Sequence, residues 1–205
     1  MAKDTKKRIL NAALSCFNEQ GYFNVRLQDI ADKASMSVGN MAYHFQHKTE
    51  LLNMLFADWQ QRQQLLMADL HLTPIFENFD HFLEQTYALQ EEYLFLYLDQ
   101  LELIRSSKEM QNGFVEYFQD QEEQLEILLA LYEARGVLEN RVGNGIALRV
   151  RRGIDTWRKY QLMEGIEEYS FLSFKSYVWL ELEHYFTDTG ETEYSALEIQ
   201  KIRRN

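Results

Sequence analysis

Proline and glycine are scarce in this chain of 205 residues, which has one proline and nine glycines. Proteins rich in short strands need frequent turns, and turns depend heavily on these two residues. Their scarcity therefore argues against a sheet-rich fold and favours long helices.

Cysteine is nearly absent as well, since Cys16 is the single one. One cysteine excludes an intrachain disulfide framework and any zinc site built from several cysteines. Apolar residues surround Cys16 at helical spacing, so we expect it to be a small core residue.

Long apolar runs and catalytic motifs are also lacking. No stretch of about 18 uncharged apolar residues is present, which predicts no membrane span. The positively charged N-terminus is not followed by the apolar core of a signal peptide, so we expect a cytoplasmic protein. There is no phosphate-binding loop, no HExxH and no nucleophile elbow, and His71 and His81 are too far apart to suggest a local metal site. The sequence thus predicts no enzyme, no metal and no cofactor.

Negative charge predominates but is unevenly distributed, within a net charge of −11. Residues 1–52 contain seven Lys or Arg against five Asp or Glu, a balance of +2, whereas the remainder contains 14 against 27, a balance of −13. The first part can approach a polyanion and the second would be repelled by it. This polarity is typical of a protein that touches DNA with one end only.

The first fifty residues carry the spacing of short helices. Apolar residues recur every three or four positions over 4–20, and Gly21 is placed to end that helix. A second short helix is predicted over 27–34, and a third over 38–45 with Ser37 as its N-cap. A helix-turn-helix protein presents one helix to the major groove of DNA in this order.

The remaining sequence keeps a helical pattern to about residue 187. Thr73 and Pro74 form a helix start, a capping residue followed by proline. Further helices are predicted over 74–89, 91–106, 108–135, 143–164 and 169–187. The tail over 188–205 is polar and either frays or forms one more helix. The sequence therefore predicts an all-α protein.

Several spaced anchors in the first 52 residues resemble the DNA-binding domain of TetR-type (TetR/AcrR) transcriptional regulators. The anchors are, in order, Ile9-Leu10-x-Ala12-Ala13 with Phe17, Glu19-x-Gly21-Tyr22, Asp29-Ile30-Ala31, Ser37-x-Gly39-Asn40 and Tyr43-His44-Phe45-x-x-Lys48-x-x-Leu51. Beyond them the match is one of helical layout alone. The chain departs from the family pattern at Ala42, where tyrosine is usual, and at Arg26, where threonine is usual.

This resemblance implies an N-terminal three-helix helix-turn-helix DNA-binding domain and a larger C-terminal helical domain for ligand binding and dimerisation. The first is expected over residues 1–52 and the second over 53–205, with the junction inside the fourth helix at about 49–70. The implied partners are a double-stranded DNA operator, an unknown small-molecule effector and a second copy of the chain.

The predicted DNA contacts come from the second and third helices. Ser37, Val38 and Asn40 would lie nearest the base edges, where asparagine can pair with adenine and valine can pack on a thymine methyl. Gly39 would allow the backbone to approach closely. The predicted set is completed by Arg26, Tyr43, His44 and Lys48, which are expected to hold phosphates, and by Gln28.

Some of these side chains have a plainer explanation. Tyr43 and Phe45 could both be core aromatics, and we take Phe45 as core and Tyr43 as a contact. His44 could pack or cap a helix, and Ser37 could act only as a cap. The lysines between residues 3 and 8 could form a solvated helix face or an arm that reaches phosphates.

Aromatic residues are frequent in the second part of the chain, and most are expected in the core because they recur at helical spacing. An effector pocket would need an apolar cavity with a few polar groups inside. The candidates for its lining are Tyr97, Glu102, Arg105, Trp157 and Tyr160.

The last two long helices are the candidates for a dimer interface, because the resemblance implies that they pair into a four-helix bundle. Gly153 in mid-helix costs about 1 kcal/mol relative to alanine, which a close helix crossing could justify. The predicted interface residues are Gly153, Ile154, Phe171, Phe174, Val178 and Leu182. The alternative is that they belong to an ordinary intrachain core.

Together these features favour a sequence-specific DNA-binding regulator, a ligand-responsive repressor that binds a pseudo-palindromic operator as a homodimer. Its two heads would enter major grooves about one helical turn, roughly 34 Å, apart. Two alternatives stay open. One is a helical small-molecule carrier or interaction protein with a degenerate DNA-binding head, for which Ala42 argues. The other is a helical enzyme that uses the pocket.

Overall fold

The computed structural model describes residues 2–140, 145–166 and 170–204. In these ranges the chain forms helices, a 3-10 turn at Tyr22–Asn24 and an isolated β-bridge between Leu138 and Phe186, but no strand. The helices are α1 (Ala2–Gln20), α2 (Leu27–Lys33), α3 (Val38–His44), α4 (Lys48–Leu72), α5 (Phe76–Glu92), α6 (Leu94–Leu98), α7 (Gln100–Ser106), α8 (Lys108–Ala134), α9 (Gly145–Met163), α10 (Phe171–Glu183) and α11 (Asp188–Arg204). The predicted all-α class is confirmed. The predicted helix starts at 143 and 169 lie outside the described residues.

Residues 2–47, with α1 to α3, form what we call the head, and α4 to α11 form the body. Gly21 follows α1 with a φ of 78°, a conformation that costs glycine no steric strain. Ser37 caps α3, because its Oγ accepts a hydrogen bond from the Asn40 backbone N–H at 3.2 Å. The helix boundaries of the head thus follow from local signals that the sequence carries.

The prediction of a single helix over 91–106 is wrong, because the chain divides into α6 and α7 on either side of Asp99. The Phe95 N–H, in the first turn of α6 where no intrahelical acceptor exists, donates to the Asn18 side-chain oxygen at 3.0 Å. The Asp99 carboxylate accepts from the Tyr22 N–H at 2.7 Å. The start of α6 and the junction between α6 and α7 therefore form hydrogen bonds with residues of the head that lie far earlier in the chain.

The tail forms α11, so the extra helix is the correct alternative for it. Leu197 is buried in the apolar core. Glu193 accepts the Phe76 N–H at 2.7 Å and pairs with Arg135 at 2.7 Å. Helix α11 therefore connects the start of α5 to the end of α8.

Two apolar clusters form the core. The head cluster joins α1–α3 to the first half of α4 and continues into α6, α7 and the start of α8. Its buried aromatic residues include Phe17 of α1, Trp59 of α4 and Phe114 of α8. The distal cluster fills the space among α5 and α8 to α11, around Trp179, and receives Met67 from α4. The head cluster contains residues on both sides of residue 52. The domain boundary predicted at that residue stays a prediction.

Neither a metal site nor a membrane span is seen among the described residues. No described helix is long and apolar enough to cross a bilayer. In the same ranges, no three histidine, cysteine or carboxylate side chains are grouped so that they could hold a metal ion. Cys16 is buried in the head cluster, as expected for a small core residue.

Candidate nucleic-acid interface

Helix α3 has one buried face and one exposed face. Met41 and Phe45 are buried in the head cluster, which confirms Phe45 as a core residue. Val38 is half-buried at the edge of that cluster. Asn40 is exposed, and Tyr43 is 86% exposed. A polar side chain and an aromatic hydroxyl are thus presented to solvent by a helix whose orientation is fixed by apolar packing.

The start of α3 leaves an open surface around Gly39, which is exposed and would have no atom within 4 Å of an added Cβ. Ser37 beside it is exposed and accepts the capping hydrogen bond through its Oγ. A hydroxyl that accepts can still donate its own hydrogen. Capping and a phosphate contact by Ser37 are therefore compatible.

The end of α3 carries two neighbouring rings. The Tyr43 and His44 rings meet edge-on with centroids 5.1 Å apart, and His44 is half-buried. Ala42 is half-buried and contributes only a methyl group where the family usually has a tyrosine. The aromatic surface of α3 therefore depends on Tyr43.

At the start of α2, Arg26 and Gln28 are both exposed. The Asp29 carboxylate accepts the Arg26 backbone N–H at 2.7 Å and so ties down the entry to the helix where the usual threonine is missing. The Gln28 amide donates to the Asp32 carboxylate at 2.7 Å, within its own helix. Arg26 therefore places its cation in solvent, whereas Gln28 is engaged by a neighbouring side chain.

Lys48 has a structural role that the sequence did not reveal. Its Nζ donates to the backbone oxygens of Tyr22 and Val25, both at 2.7 Å, and lies 4.3 Å from the centroid of the Tyr22 ring. Partial burial lowers the pKa of Lys48. The ammonium thus fastens the start of α4 to the chain segment after α1, and the phosphate contact predicted for it stays a prediction.

The lysines near the N-terminus belong to a helix face. Helix α1 starts at Ala2, and Lys6 Nζ lies 5.8 Å from the centroid of the Phe45 ring, at the end of α3. Lys7 and Arg8 are exposed beside it. Positive charge from α1 therefore lies next to α3, which supports the helix-face alternative.

Contacts between head and body were missed because no local sequence signal marks them. Asn18 donates through Nδ2 to the Glu92 backbone oxygen at 2.8 Å, in addition to its bond from Phe95. Asp99 accepts from the Tyr22 N–H, and burial raises the pKa of Asp99. The head is therefore hydrogen-bonded to both ends of α6.

The five residues predicted to line an effector pocket have different surroundings in the structure, and the pocket stays a prediction. Tyr97 is buried in the head cluster, where its hydroxyl accepts bonds of 3.0 Å from the side chains of Trp59 and Gln63. Trp157 packs in the other cluster, against Phe174 with centroids 6.3 Å apart. Glu102, Arg105 and Tyr160 are exposed. Helical spacing could not show to which of the two cores each aromatic residue belongs.

The residues predicted for the dimer interface pack within the chain, as in the intrachain alternative, and the interface itself stays a prediction. Five of its residues are buried within the chain itself, and Phe171 is half-buried; the buried five are Gly153, Ile154, Phe174, Val178 and Leu182. Gly153 does permit a close helix crossing, since an added Cβ would lie 3.2 Å from the Tyr177 ring of α10. The partner helix at this crossing belongs to the same chain.

An ionisable group that the sequence did not single out is buried in α9. Asp155 accepts hydrogen bonds from the Tyr117 hydroxyl and from Arg151, each at 3.1 Å. Burial raises the pKa of Asp155 to about 6, although the Arg151 charge acts in the opposite direction. An aspartate within a long amphipathic helix is usually solvent-facing, so only the packing of α8 against α9 identifies this one.

The sequence models of two protein families match the chain. Residues 9–55 match the "Bacterial regulatory proteins, tetR family" description, and residues 60–144 match the TetR "Bacterial transcriptional repressor" description. Together the two matches include α2 to α8 almost completely.

Known proteins resemble part of the chain. The Transposon Tn10 TetC protein of Escherichia coli is 34% identical over 71 residues, which are 35% of this chain and 34% of that protein. The HTH-type transcriptional regulator SrpR of Pseudomonas putida is 38% identical over 64 residues, which are 31% of this chain and 30% of that protein. The chain therefore aligns with less than two thirds of the length of either relative.

Solved structures resemble the whole fold. A TetR-family transcriptional regulator from Marinobacter aquaeolei VT8 superposes with a TM-score of 0.83 at 20% identity, over 95% of this chain and 97% of that one. A gamma-butyrolactone receptor, an ArpA-like protein, superposes with a TM-score of 0.69 at 15% identity, over 100% of this chain and 98% of that one. At these identities the likeness shows a common fold.

Proposed function

The chain belongs to the TetR family of bacterial regulatory proteins, and on that premise we propose that it is a DNA-binding transcriptional repressor controlled by a small molecule. The observation that carries the proposal is the exposed face of α3, with Asn40 and Tyr43 in solvent on a helix held by Met41 and Phe45. The helix projects from the mildly basic end of an acidic chain. Such an arrangement suits a recognition helix in the major groove.

The roles of the α3 residues differ within this proposal. Asn40 is the best candidate to read a base, since its amide can bond an adenine edge with two hydrogen bonds. Tyr43, Arg26 and the α1 lysines would hold phosphates, which orients the protein without reading sequence. Ser37 would cap α3 and donate its hydroxyl hydrogen to a phosphate.

Fluorescence anisotropy with DNA from upstream of the protein's own gene tests the proposal. We expect salt-dependent binding that prefers one sequence over scrambled DNA of the same composition. Asn40→Ala should weaken binding to the preferred sequence by about 5- to 100-fold, since a good base contact provides about 1–3 kcal/mol. Tyr43→Phe should weaken binding to both DNAs several-fold.

The matched control is Asn112→Ala, because Asn112 is an exposed asparagine of α8 on the body. It should leave both affinities unchanged. Absence of sequence preference in the wild-type chain, with no effect of Asn40→Ala, would contradict the proposal and favour a carrier whose head no longer binds DNA.

We also propose that the active form is a homodimer that pairs through the outer face of α9 and α10. Helix α10 exposes Leu172, Tyr177 and Leu180, with exposures of 64%, 37% and 53%, opposite to its buried face. Near the end of α9, Tyr160 and Met163 are exposed as well. Apolar side chains grouped on the surface of two adjacent helices are characteristic of an interface with another protein.

Sedimentation velocity tests the dimer. Leu180→Glu places a charge within the proposed interface and should yield monomers at micromolar concentration, with a large loss of DNA affinity. Leu101→Glu is the matched control, since Leu101 is an exposed leucine of α7, and it should remain dimeric. Dimers that persist in Leu180→Glu and disappear in Leu101→Glu would place the interface elsewhere.

Control by a small molecule is the third part of the proposal. It is supported by family membership and by the gamma-butyrolactone receptor, a protein of the same fold. An effector releases DNA only if it binds better to a conformation in which the two heads no longer fit the operator. The hydrogen bonds of Asn18 and Asp99 at the two ends of α6 are the contacts through which such a change would reach the head.

A further inference from the structure

Buried polar atoms without partners are concentrated between α5 and α9. Four such atoms are Thr86 Oγ1 and Gln90 Oε1 of α5, and Trp157 Nε1 and Gln161 Oε1 of α9; none has a hydrogen-bond partner among the described residues. Thr86, Gln90 and Gln161 are exposed by 3% or less. An unpaired buried polar group costs stability, and native proteins keep few of them. Their grouping on two facing helices therefore needs an explanation.

The four residues lie within about two helical turns of one contact between α5 and α9. Gln90 Nε2 donates to the Ile154 backbone oxygen at 2.8 Å, which brings α5 and α9 together. Thr86 lies one turn before Gln90 on α5. Trp157 and Gln161 lie about one and two turns after Ile154 on α9, on the same helix face.

The aromatic contacts show which parts of the two helices face each other. Tyr87 and Trp157 both contact Phe174 of α10, with ring centroids 5.6 and 6.3 Å away. The segment of α5 before Gln90 therefore lies opposite the segment of α9 after Ile154. The aromatic wall beside the unpartnered atoms consists of Tyr87, Trp157, Phe171 and Phe174.

The charges at this site are compensated within the chain. Arg158 of α9 forms an ion pair with Glu91 of α5. Because Arg158 already has Glu91 as its partner, a charge added by a ligand would be buried without a countercharge of its own, which is unfavourable.

We propose that this α5–α9 site binds the effector, and that the effector is a neutral molecule with an aromatic body. Such a ligand needs two hydrogen-bond donors for the oxygens of Gln90 and Gln161 and an acceptor for the Trp157 N–H. The Thr86 hydroxyl can serve either role. The term effector rests on the proposed function, whereas binding at this site does not depend on it.

A groove elsewhere in the body provides the contrast that the test needs. It is an open groove of about 390 Å³ between α4 and α8, and it contains none of the four atoms. Glu116 and Asp120 line it together with three glutamines. Their carboxylates would favour a cationic ligand, so the charge preference of the protein distinguishes the two sites.

Three probes of one size test the charge preference: 4-hydroxybenzamide, which is neutral, 4-hydroxybenzoate, an anion, and 4-hydroxybenzylamine, a cation. Calorimetric titration of the full chain without DNA measures their dissociation constants. We expect the neutral amide to bind at least tenfold more tightly than either charged analogue. Preference for the cation, or no binding of the amide at its solubility limit, would overturn the proposal.

Thr86→Val tests the location, because it replaces the unpartnered hydroxyl with a methyl group of similar shape. We expect the melting temperature to rise by about 2–4 °C and the affinity for 4-hydroxybenzamide to fall at least fivefold. Thr192→Val is the control, since the Thr192 hydroxyl donates to the Asp188 backbone oxygen at 2.8 Å on α11, and it should not change probe binding.

Two results of the Thr86→Val experiment would contradict the proposal. A lower melting temperature would mean that the hydroxyl stabilises the unliganded protein, and an unchanged probe affinity would place the probe elsewhere. Failure of the chain to bind DNA changes neither outcome, so the two proposals fail separately.

Discussion

The head and the body differ in how they bury polar groups. Among the described residues, the polar and charged side chains classed as buried all lie after residue 60; they are Gln63, Asp80, Thr86, Gln90, Gln100, Gln121, Asp155, Arg158, Gln161 and Lys175. The described core of the head is apolar, and the half-buried Lys48 of α4 donates to two carbonyl oxygens of the head. The partnerless buried side-chain atoms of the described chain likewise lie outside the head.

This difference fits two tasks. A reader of DNA must hold α3 in one orientation, and an apolar core with satisfied polar groups does so. A receptor needs polar atoms in its interior for a ligand to bind, and it accepts a loss of stability in the absence of that ligand. In the proposed function, stability and ligand response would therefore depend on different parts of the chain.

Lys48→Met should give the largest effect, because it removes contacts that hold α4 to the head. Two charge-assisted hydrogen bonds and the contact with the Tyr22 ring are lost, so we expect the free energy of unfolding to fall by about 2–4 kcal/mol. Urea unfolding measures this loss, and hydrogen exchange should show faster exchange in α1 to α3. Lys108→Met is the control, because the exposed Lys108 ammonium donates to the Gln111 side chain at 2.7 Å on the surface of α8. Equal stabilities for the two variants would refute the structural role of Lys48.

The second-largest effect should be a dependence of folding stability on pH that arises from Asp155 in the body. The pKa of Asp155 is raised to about 6 in the folded chain, against about 3.9 in an unfolded one. The folded state therefore binds more protons between these values, and the contribution of Asp155 decreases stability as the pH rises from about 4 to 6. The decrease should be on the order of 2–3 kcal/mol, and it should persist above pH 6.

Asp155→Asn isolates this contribution from that of other carboxylates. Urea unfolding of both proteins between pH 4 and 7.5 should show that the wild type loses stability relative to the variant as the pH rises through this window. A constant difference between the two curves would mean that Asp155 does not titrate there.

Ser37→Ala and Ser107→Ala form a matched pair with the smallest expected effects. Each serine caps a helix, since Ser37 Oγ accepts from Asn40 N–H at 3.2 Å and Ser107 Oγ accepts from Met110 N–H at 3.1 Å. Each loss should reduce the free energy of unfolding by about 1 kcal/mol. Only Ser37→Ala should also weaken DNA binding in the anisotropy assay, and equal losses of DNA affinity in both variants would remove the special role of α3.

The head could be predicted from sequence to a greater extent than the body. The end of α1 at Gly21, the cap by Ser37 and the burial of Phe45 follow from local spacing, and the structure contains all three. The role of Lys48 could not be predicted, because its carbonyl partners lie 23 and 26 residues earlier in the chain. Sequence spacing alone does not bring such residues together.

The body was harder to predict because both faces of its last long helices carry apolar residues. Phe174 and Val178 are buried within the chain, whereas Leu172 and Leu180 of the same helix are exposed. A periodic pattern does not show which face packs inside and which is left for a partner. The division at Asp99 has a similar cause, since it depends on the Tyr22 N–H of the head.

Hydrogen–deuterium exchange of the full chain with and without its upstream DNA tests the central claim most directly. The account predicts that DNA slows exchange over residues 26–48, where α2 and α3 lie, and leaves α8 unchanged. DNA-induced protection of α8 without protection of α3, or no protection anywhere, would contradict the claim that the head reads DNA while the body remains free to bind a ligand.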